Sequence, residues 1–166
     1  MLNRSFGTQH GVKRLLLDVI DVENSVVGLK ELVEVNSWRA AATQAKKLLN
    51  DYIDSLPIQD VLEIYFTRVL ALFKLRAFER ASQELKLLGN LDRPELFYEF
   101  YPETFKGRRG SFVPFSLRVL ASTLPHYLGL TAEALERLAQ LQVYVRTVIA
   151  LVDKDPTLVS PDLKES

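Results

Sequence analysis

Apolar residues recur at steps of three and four along much of this 166-residue chain. The first stripe comprises Val12, Leu15, Val19, Val22, Val26, Leu29 and Val33. This spacing places the side chains on one side of an α-helix. Gly28 lies within the stripe and indicates either a close helix contact or a local irregularity. A coiled coil is an alternative, but further apolar helices follow directly and favour antiparallel hairpins.

Breaks between the stripes divide the chain into six predicted helices. They span residues 12–33, 38–53, 58–75, 78–88, 116–128 and 131–152. Ser37 and Thr131 are predicted N-caps, and Gly89 is a predicted C-cap. Pro125 should kink or shorten the fifth helix.

A repeated residue pair suggests how these helices pack. In tetratricopeptide hairpins, a small residue follows a bulky turn residue by three positions and allows the helices to approach closely. The pairs here are Trp38 with Ala41, Phe78 with Ala81, and Thr131 with Ala134. We predict an all-α, tetratricopeptide-like solenoid of about three hairpins. A plain antiparallel bundle is the alternative.

An aromatic insertion, residues 89–115, separates the second hairpin from the third. Seven of the sixteen aromatic residues fall between Phe97 and Phe115. Such a composition favours an ordered segment with Phe100 and Tyr101 in a core. Pro102 and Pro114 interrupt any helix there. We predict one domain over residues 1–152, including this insertion, and a polar, flexible tail over 153–166.

The GRRGS turn lies inside the insertion, where Gly107 and Gly110 flank Arg108 and Arg109. We expect positive φ at both glycines. Three interpretations remain open: a structural turn held by arginine–carboxylate pairs, a partner contact, or a small-anion site. In the first, the acceptors are Asp92, Glu95, Glu99 and Glu103.

The composition argues against several functions. Twenty-one basic and twenty-one acidic residues balance, so no strong positive field favours nucleic acid. The chain has no cysteine, and His10 and His126 belong to no cluster with ligand spacing. We therefore expect no enzyme activity, no cofactor, no metal and no small-molecule substrate. No apolar run approaches a membrane span, so we expect a cytoplasmic protein without membrane insertion.

The segments NLDRPELFYEFYP and GRRGSFVPFSLRVL resemble the family of the twelfth subunit of the TRAPP (trafficking protein particle) complex, a helical-repeat family. WRAAATQAKKLL and residues 72–88 are also similar. The structural signature comprises Trp38, Ala41, Phe78, Ala81, Phe100, Tyr101, Pro102, Gly107, Gly110 and Pro114. Animal members carry a long polar segment before the repeats, and this chain starts with almost none.

The resemblance implies a non-catalytic scaffold or adaptor subunit of TRAPP III. That complex tethers vesicles and activates a Rab GTPase in endoplasmic reticulum to Golgi transport and autophagy. The implied location is the cytoplasmic face of early Golgi membranes. The implied partners are other TRAPP subunits, large subunit eleven or eight in particular.

A free-standing peptide-binding adaptor of the co-chaperone type is the alternative. Such a clamp needs Lys, Arg and Asn along the first helices of its hairpins, whereas helices one and three present mostly Val, Leu and Tyr. Terminal helices of a solenoid each lack one neighbour, and extra apolar residues there favour docking. The candidate partner contacts are Leu17, Val27, Arg108, Arg109, Tyr144 and Leu151.

Overall fold

The computed structural model describes residues 17–154 and shows six α-helices in that range. They are α1 (Val26–Glu34), α2 (Trp38–Tyr52), α3 (Ile58–Lys74), α4 (Phe78–Leu88), α5 (Phe115–Tyr127) and α6 (Thr131–Lys154). Short 3₁₀ helices occupy Val19–Asp21, Pro94–Leu96 and Tyr98–Phe100. Between residues 17 and 154 the only β pairing is one isolated bridge, so the all-α prediction is confirmed.

One turn geometry closes all three hairpins. Asn36, Arg76 and Gly129 have φ of +59°, +60° and +80°, and each lies two residues before the next helix. The residue after each of these three donates its backbone N–H to the carbonyl oxygen five residues earlier, as in a Schellman motif. These bonds, from Ser37 to Leu32, Ala77 to Leu72 and Leu130 to Pro125, measure 2.8–2.9 Å.

A close-packed alanine follows each turn. Ala41, Ala81 and Ala134 are 0%, 0% and 2% exposed, as the pairing with the turn residues predicted. A methyl group at this position lets the second helix approach the first. The hairpins therefore share a turn and a contact, while their assignment to the tetratricopeptide class stays a prediction.

The hairpins stack in sequence order. Helices α1, α3 and α5 pack in succession, and α2 and α4 pack on α3 and α5 of the next hairpin. Within residues 17–154, no helix of the first hairpin contacts the third. This is the linear arrangement of a solenoid, whereas a closed bundle would bring the end hairpins together.

The first helix is shorter than predicted. It begins at Val26, and the prediction of helix over residues 17–25 was wrong; residues 12–16 lie outside the described range. Asp18 caps a separate 3₁₀ turn, and the Ser25 hydroxyl accepts the N–H of Gly28 at 3.2 Å. These side chains bond to the backbone locally and so start new turns inside the apolar stripe.

Gly28 is required by the segment that precedes it. A Cβ on Gly28 would lie 2.1 Å from the carbonyl oxygen of Glu23. The same oxygen accepts Nε2 of Gln44 at 3.0 Å, and Nε2 also reaches Oδ1 of Asn24 at 3.1 Å. Gln44 is fully buried in α2. The close contact at Gly28 is therefore with the backbone of Glu23 in the preceding segment. Gln44 of α2 fixes the position of that segment.

The N-cap predicted at Thr131 was wrong, and the side-chain hydrogen bond expected of an N-cap is absent at Ser37. Ser37 precedes α2, but its buried hydroxyl has no hydrogen-bond partner, and Thr131 is already the first residue of α6. Pro125 lies inside α5, which continues to Tyr127. Gly89 is the C-cap of α4, with φ of +77°, as predicted.

The last helix is largely uncovered. Only Ala134 of α6 is buried, and Leu135, Leu138 and Ile149 are 63%, 38% and 54% exposed. Among the helices described, α6 packs only on α5, so its remaining sides, including Leu135 and Leu138, are uncovered. It is also longer, with 24 residues against 13, or about 36 and 20 Å at 1.5 Å per residue, so its C-terminal part extends beyond α5.

No helix between residues 17 and 154 is both long enough and apolar enough to cross a membrane.

Candidate protein-binding site

The aromatic insertion is closed by backbone hydrogen bonds between its two halves. Phe97 and Ser111 form an antiparallel bridge. The N–H of Tyr98 donates to the carbonyl oxygen of Gly110 at 2.9 Å, and the N–H of Phe112 donates to that of Leu96 at 2.9 Å. The insertion is therefore an ordered loop whose ends are fixed beside each other.

An aromatic cluster fills this loop. It comprises Tyr98, Tyr101, Phe105 and Phe112, with ring centroids 4.2–6.5 Å apart. Phe100 lies at the edge of this cluster, with its ring centroid 5.1 Å from that of Tyr101, and is 51% exposed, so its predicted burial was wrong. In the 3₁₀ turn, side chains three residues apart lie on one face, which pairs Tyr98 with Tyr101 and directs Phe100 elsewhere.

The GRRGS turn has the backbone conformation expected of its glycines. Gly107 and Gly110 have φ of +74° and +104°, which confirms that prediction. The Gly110 N–H donates to Oε1 of Glu99 at 2.9 Å, and the Arg108 guanidinium lies 5.9 Å from the Tyr98 ring centroid. Within residues 17–154, neither Arg108 nor Arg109 pairs with a carboxylate, so the expected arginine–acid pairs were wrong.

Arg118 connects the insertion to the helices. Its side chain is only 6% exposed, and Nη1 pairs with Asp92 at 2.5 Å. Nη2 donates to the carbonyl oxygen of Leu91 at 3.0 Å and to Oγ of Ser111 at 3.1 Å. Charge-assisted bonds of this kind are stronger than neutral ones. Arg118 thus holds both ends of the insertion against α5.

The same arginine reaches α6. Its guanidinium carbon lies 4.4 Å from the centroid of the Tyr144 ring, a cation–π distance. Tyr144 is therefore an internal contact rather than the free surface residue that the sequence predicted. Sequence reasoning missed Arg118, although one signal was present, since the residue lies beside Leu117 in an apolar stretch that also contains Leu120 and Leu124.

A groove of about 570 Å³ opens between α4 and α6, above α5. Its apolar lining includes Leu85, Leu91, Ala121, Leu124, Leu128 and Leu141, and its charged lining is Lys86, Asp92, Arg118, Glu133 and Arg137. Three cations against two acids leave a net charge of +1. Its volume lies within the range of about 300–1,000 Å³ that ligand-binding clefts span.

Arg137 joins the two helices of the third hairpin at this groove. Proline has no N–H, so Pro125 leaves the carbonyl oxygen of Ala121 without its helical donor. Nη1 of Arg137 supplies that donor at 3.0 Å, and Nη2 pairs with Glu133 at 2.6 Å. This bond explains how α5 accommodates an internal proline.

The other candidate contacts do not form one surface. Leu17 packs partly buried against the core, whereas Val27 and Leu151 are 62% and 52% exposed on α1 and α6. Arg108 and Arg109 are exposed on the insertion. Across residues 17–154, no three His, Cys, Asp or Glu side chains are grouped as a metal site. His126 is exposed beside Thr131, and His10 is outside the described range.

Comparison with known proteins identifies relatives that match most of this chain. Trafficking protein particle complex subunit 12 of Mus musculus is 38% identical over 162 residues, covering 93% of this chain and 20% of the relative. The Homo sapiens protein of the same name is 36% identical over 162 residues, covering 93% of this chain and 22% of the relative. Both of these homologues are named subunit 12 of the TRAPP complex.

The chain spans about a fifth of the length of these subunit 12 relatives. The resemblance indicated by the sequence is therefore confirmed for the matched part. No protein-family model matches the chain. No solved structure matches it either.

Proposed function

We propose that this chain is a non-catalytic scaffold segment of the TRAPP complex, in its TRAPP III form. There it joins other subunits, large subunit eleven or eight in particular. Through them it serves vesicle tethering and Rab activation between the endoplasmic reticulum and the Golgi, and autophagy. The location proposed is the cytoplasmic side of early Golgi membranes.

The observation that carries this proposal is similarity to subunit 12 over 93% of the chain. The match reaches across the hairpins and the insertion that Arg118 holds between them. An array stabilised in this way is suited to presenting surfaces for assembly.

We propose in addition that the terminal helices dock on a larger subunit. Val27 on α1 and Leu151 on α6 are more than half exposed, and exposed apolar groups on the end helices of a solenoid favour coverage by a partner. Arg108 and Arg109 would lie at the rim, where charge steers association. Leu17 and Tyr144 no longer belong to this surface, because both pack internally.

Affinity purification of the tagged chain from cells tests the proposal. We expect TRAPP subunits to co-purify in a fixed ratio, and a Val27→Asp, Leu151→Asp variant to lose them while its helical circular dichroism is unchanged. Leu87→Asp is the control, since Leu87 is 77% exposed on the middle hairpin. Recovery of chaperones without TRAPP subunits would instead support the peptide-binding adaptor.

A further inference from the structure

The two joints between hairpins differ at one equivalent position. At the first joint, Arg68 of α3 fills the space between α2 and α4. Its Nη1 donates to the carbonyl oxygen of Ala42 on α2 at 2.7 Å, and its Nη2 pairs with Glu84 on α4. The side chains of Arg68 and Glu84 are only 12% and 16% exposed. This arginine therefore seals the first joint.

The shared turns give the matching residues at the second joint. Phe78 and Thr131 begin α4 and α6. Arg68 lies ten residues before Phe78, and Ala121 lies ten residues before Thr131, so Ala121 corresponds to Arg68. By the same count Glu84 corresponds to Arg137, and Ala42 corresponds to Ser82.

All three counterparts, Ser82, Ala121 and Arg137, line the groove between α4 and α6. A methyl group thus stands where a guanidinium seals the first joint. The groove is the unfilled equivalent of that sealed space.

The charges of the groove indicate what fills it. Asp92 and Glu133 are already paired, with Arg118 and Arg137 respectively. Lys86 makes no ion pair within 4 Å among residues 17–154. The groove therefore favours an anionic group.

The remaining walls favour apolar side chains. Leu85 of α4, Leu124 of α5 and Leu141 of α6 all line the groove. A groove of about 570 Å³ has room for a few side chains, since binding clefts run from about 300 to 1,000 Å³. A ligand that carries a leucine side chain next to a carboxylate would match the apolar walls and Lys86, unpaired within residues 17–154.

We propose that the α4–α6 groove binds a short acidic, leucine-containing segment of a partner protein. The inference rests on the proposed function only for the partner's identity as another TRAPP subunit. A carboxylate of the segment pairs with Lys86, and a leucine side chain packs on Ala121 and Leu124.

Fluorescence anisotropy with the purified chain and a labelled Asp-Leu-Asp-Leu-Glu peptide tests the chemistry without any TRAPP subunit. We expect the wild-type chain to bind the peptide saturably. The affinity should be at least tenfold weaker for Ala121→Arg, which introduces the arginine of the first joint, and for Lys86→Glu. Lys46→Glu is the matched control, because Lys46 is the exposed counterpart of Lys86 on α2. Ala139→Arg, on the exposed side of α6, controls for an added arginine. Both controls should bind like wild type.

Four results with the purified chain would overturn the proposal. They are no binding by the wild-type chain, unchanged binding by Lys86→Glu, equal binding of a Lys-Leu-Lys-Leu-Lys peptide, or a dimer that Ala121→Arg dissolves. The last result would assign the groove to a second copy. In affinity purification we expect Ala121→Arg to lose at least one TRAPP subunit. Retention of every subunit at the wild-type ratio would remove the groove as the site, whereas absence of TRAPP subunits from the wild-type sample would refute the proposed function itself.

Discussion

Alanine at position 28 should destabilise the chain, although alanine is the better helix former. The added Cβ would lie 2.1 Å from the Glu23 carbonyl oxygen, whereas a relaxed carbon–oxygen contact is about 3.3 Å, so the two groups must separate by about 1 Å. Glu23 cannot move freely, because its oxygen accepts a hydrogen bond from the fully buried Gln44. The substitution therefore strains or breaks that bond.

The opposing effects can be compared in free energy of unfolding. Replacing glycine inside a helix by alanine gains about 1 kcal/mol. Overpacking costs about 1–3 kcal/mol, and a buried hydrogen-bonding group left without its partner costs about 1–3 kcal/mol. For Gly28→Ala we expect a net loss of about 3 kcal/mol from these terms.

Urea unfolding followed by far-ultraviolet circular dichroism measures this loss, and hydrogen exchange should locate it in α1. Gly89→Ala is the matched control, since no atom lies within 4 Å of its added Cβ and φ is +77°. There we expect the strain of a backbone conformation nearly confined to glycine, φ +77° with ψ −151°, to cost about 1–3 kcal/mol, with hydrogen exchange in α1 unchanged. A Gly28→Ala variant as stable as the wild type would refute the reasoning.

Five further substitutions test other parts of the structure by denaturant melts. Arg76→Gly should raise the free energy of unfolding by about 1 kcal/mol, and Gly129→Ala should lower it by about 1 kcal/mol. The reason is that both positions have positive φ, which glycine adopts without strain. Shifts of the same sign in the two variants would contradict this. Arg118→Met should cost about 3 kcal/mol and expose the insertion to hydrogen exchange, since buried partners lose their donor; unchanged exchange there would argue against the clamp. Phe112→Ala should cost about 3–5 kcal/mol and Phe100→Ala under about 1 kcal/mol, following their burial; equal losses would place both rings in the core.

The sequence predicted the middle helices closely because their ends have local signals. The predictions 38–53, 58–75, 78–88 and 116–128 match Trp38–Tyr52, Ile58–Lys74, Phe78–Leu88 and Phe115–Tyr127 within one residue at each end. The start of α1 was missed because the apolar spacing continues past Val22, while a distant residue, Gln44, holds the backbone of Glu23. Periodicity contains no information about such a contact.

The candidate site was predicted less well because its contacts are tertiary. Positive φ at Gly107 and Gly110 depends on the turn itself and was predicted. The position of Arg118 depends on Leu91 and Asp92, which lie 27 and 26 residues away. Composition likewise does not tell which aromatic of the 3₁₀ turn points inward, so Phe100 was wrongly placed in the core.

The linear stacking of the hairpins has a kinetic consequence. Because each hairpin packs only on its neighbours within residues 17–154, folding can begin at any of the three and spread outward. An end hairpin can detach and return while the middle one stays folded, as in sub-global opening. The α5–α6 hairpin is connected to the middle hairpin through the aromatic insertion, and its detachment requires the Arg118–Asp92 ion pair to break. A ligand that bridges α4 and α6 would slow this opening and fix the far end of the array at one angle.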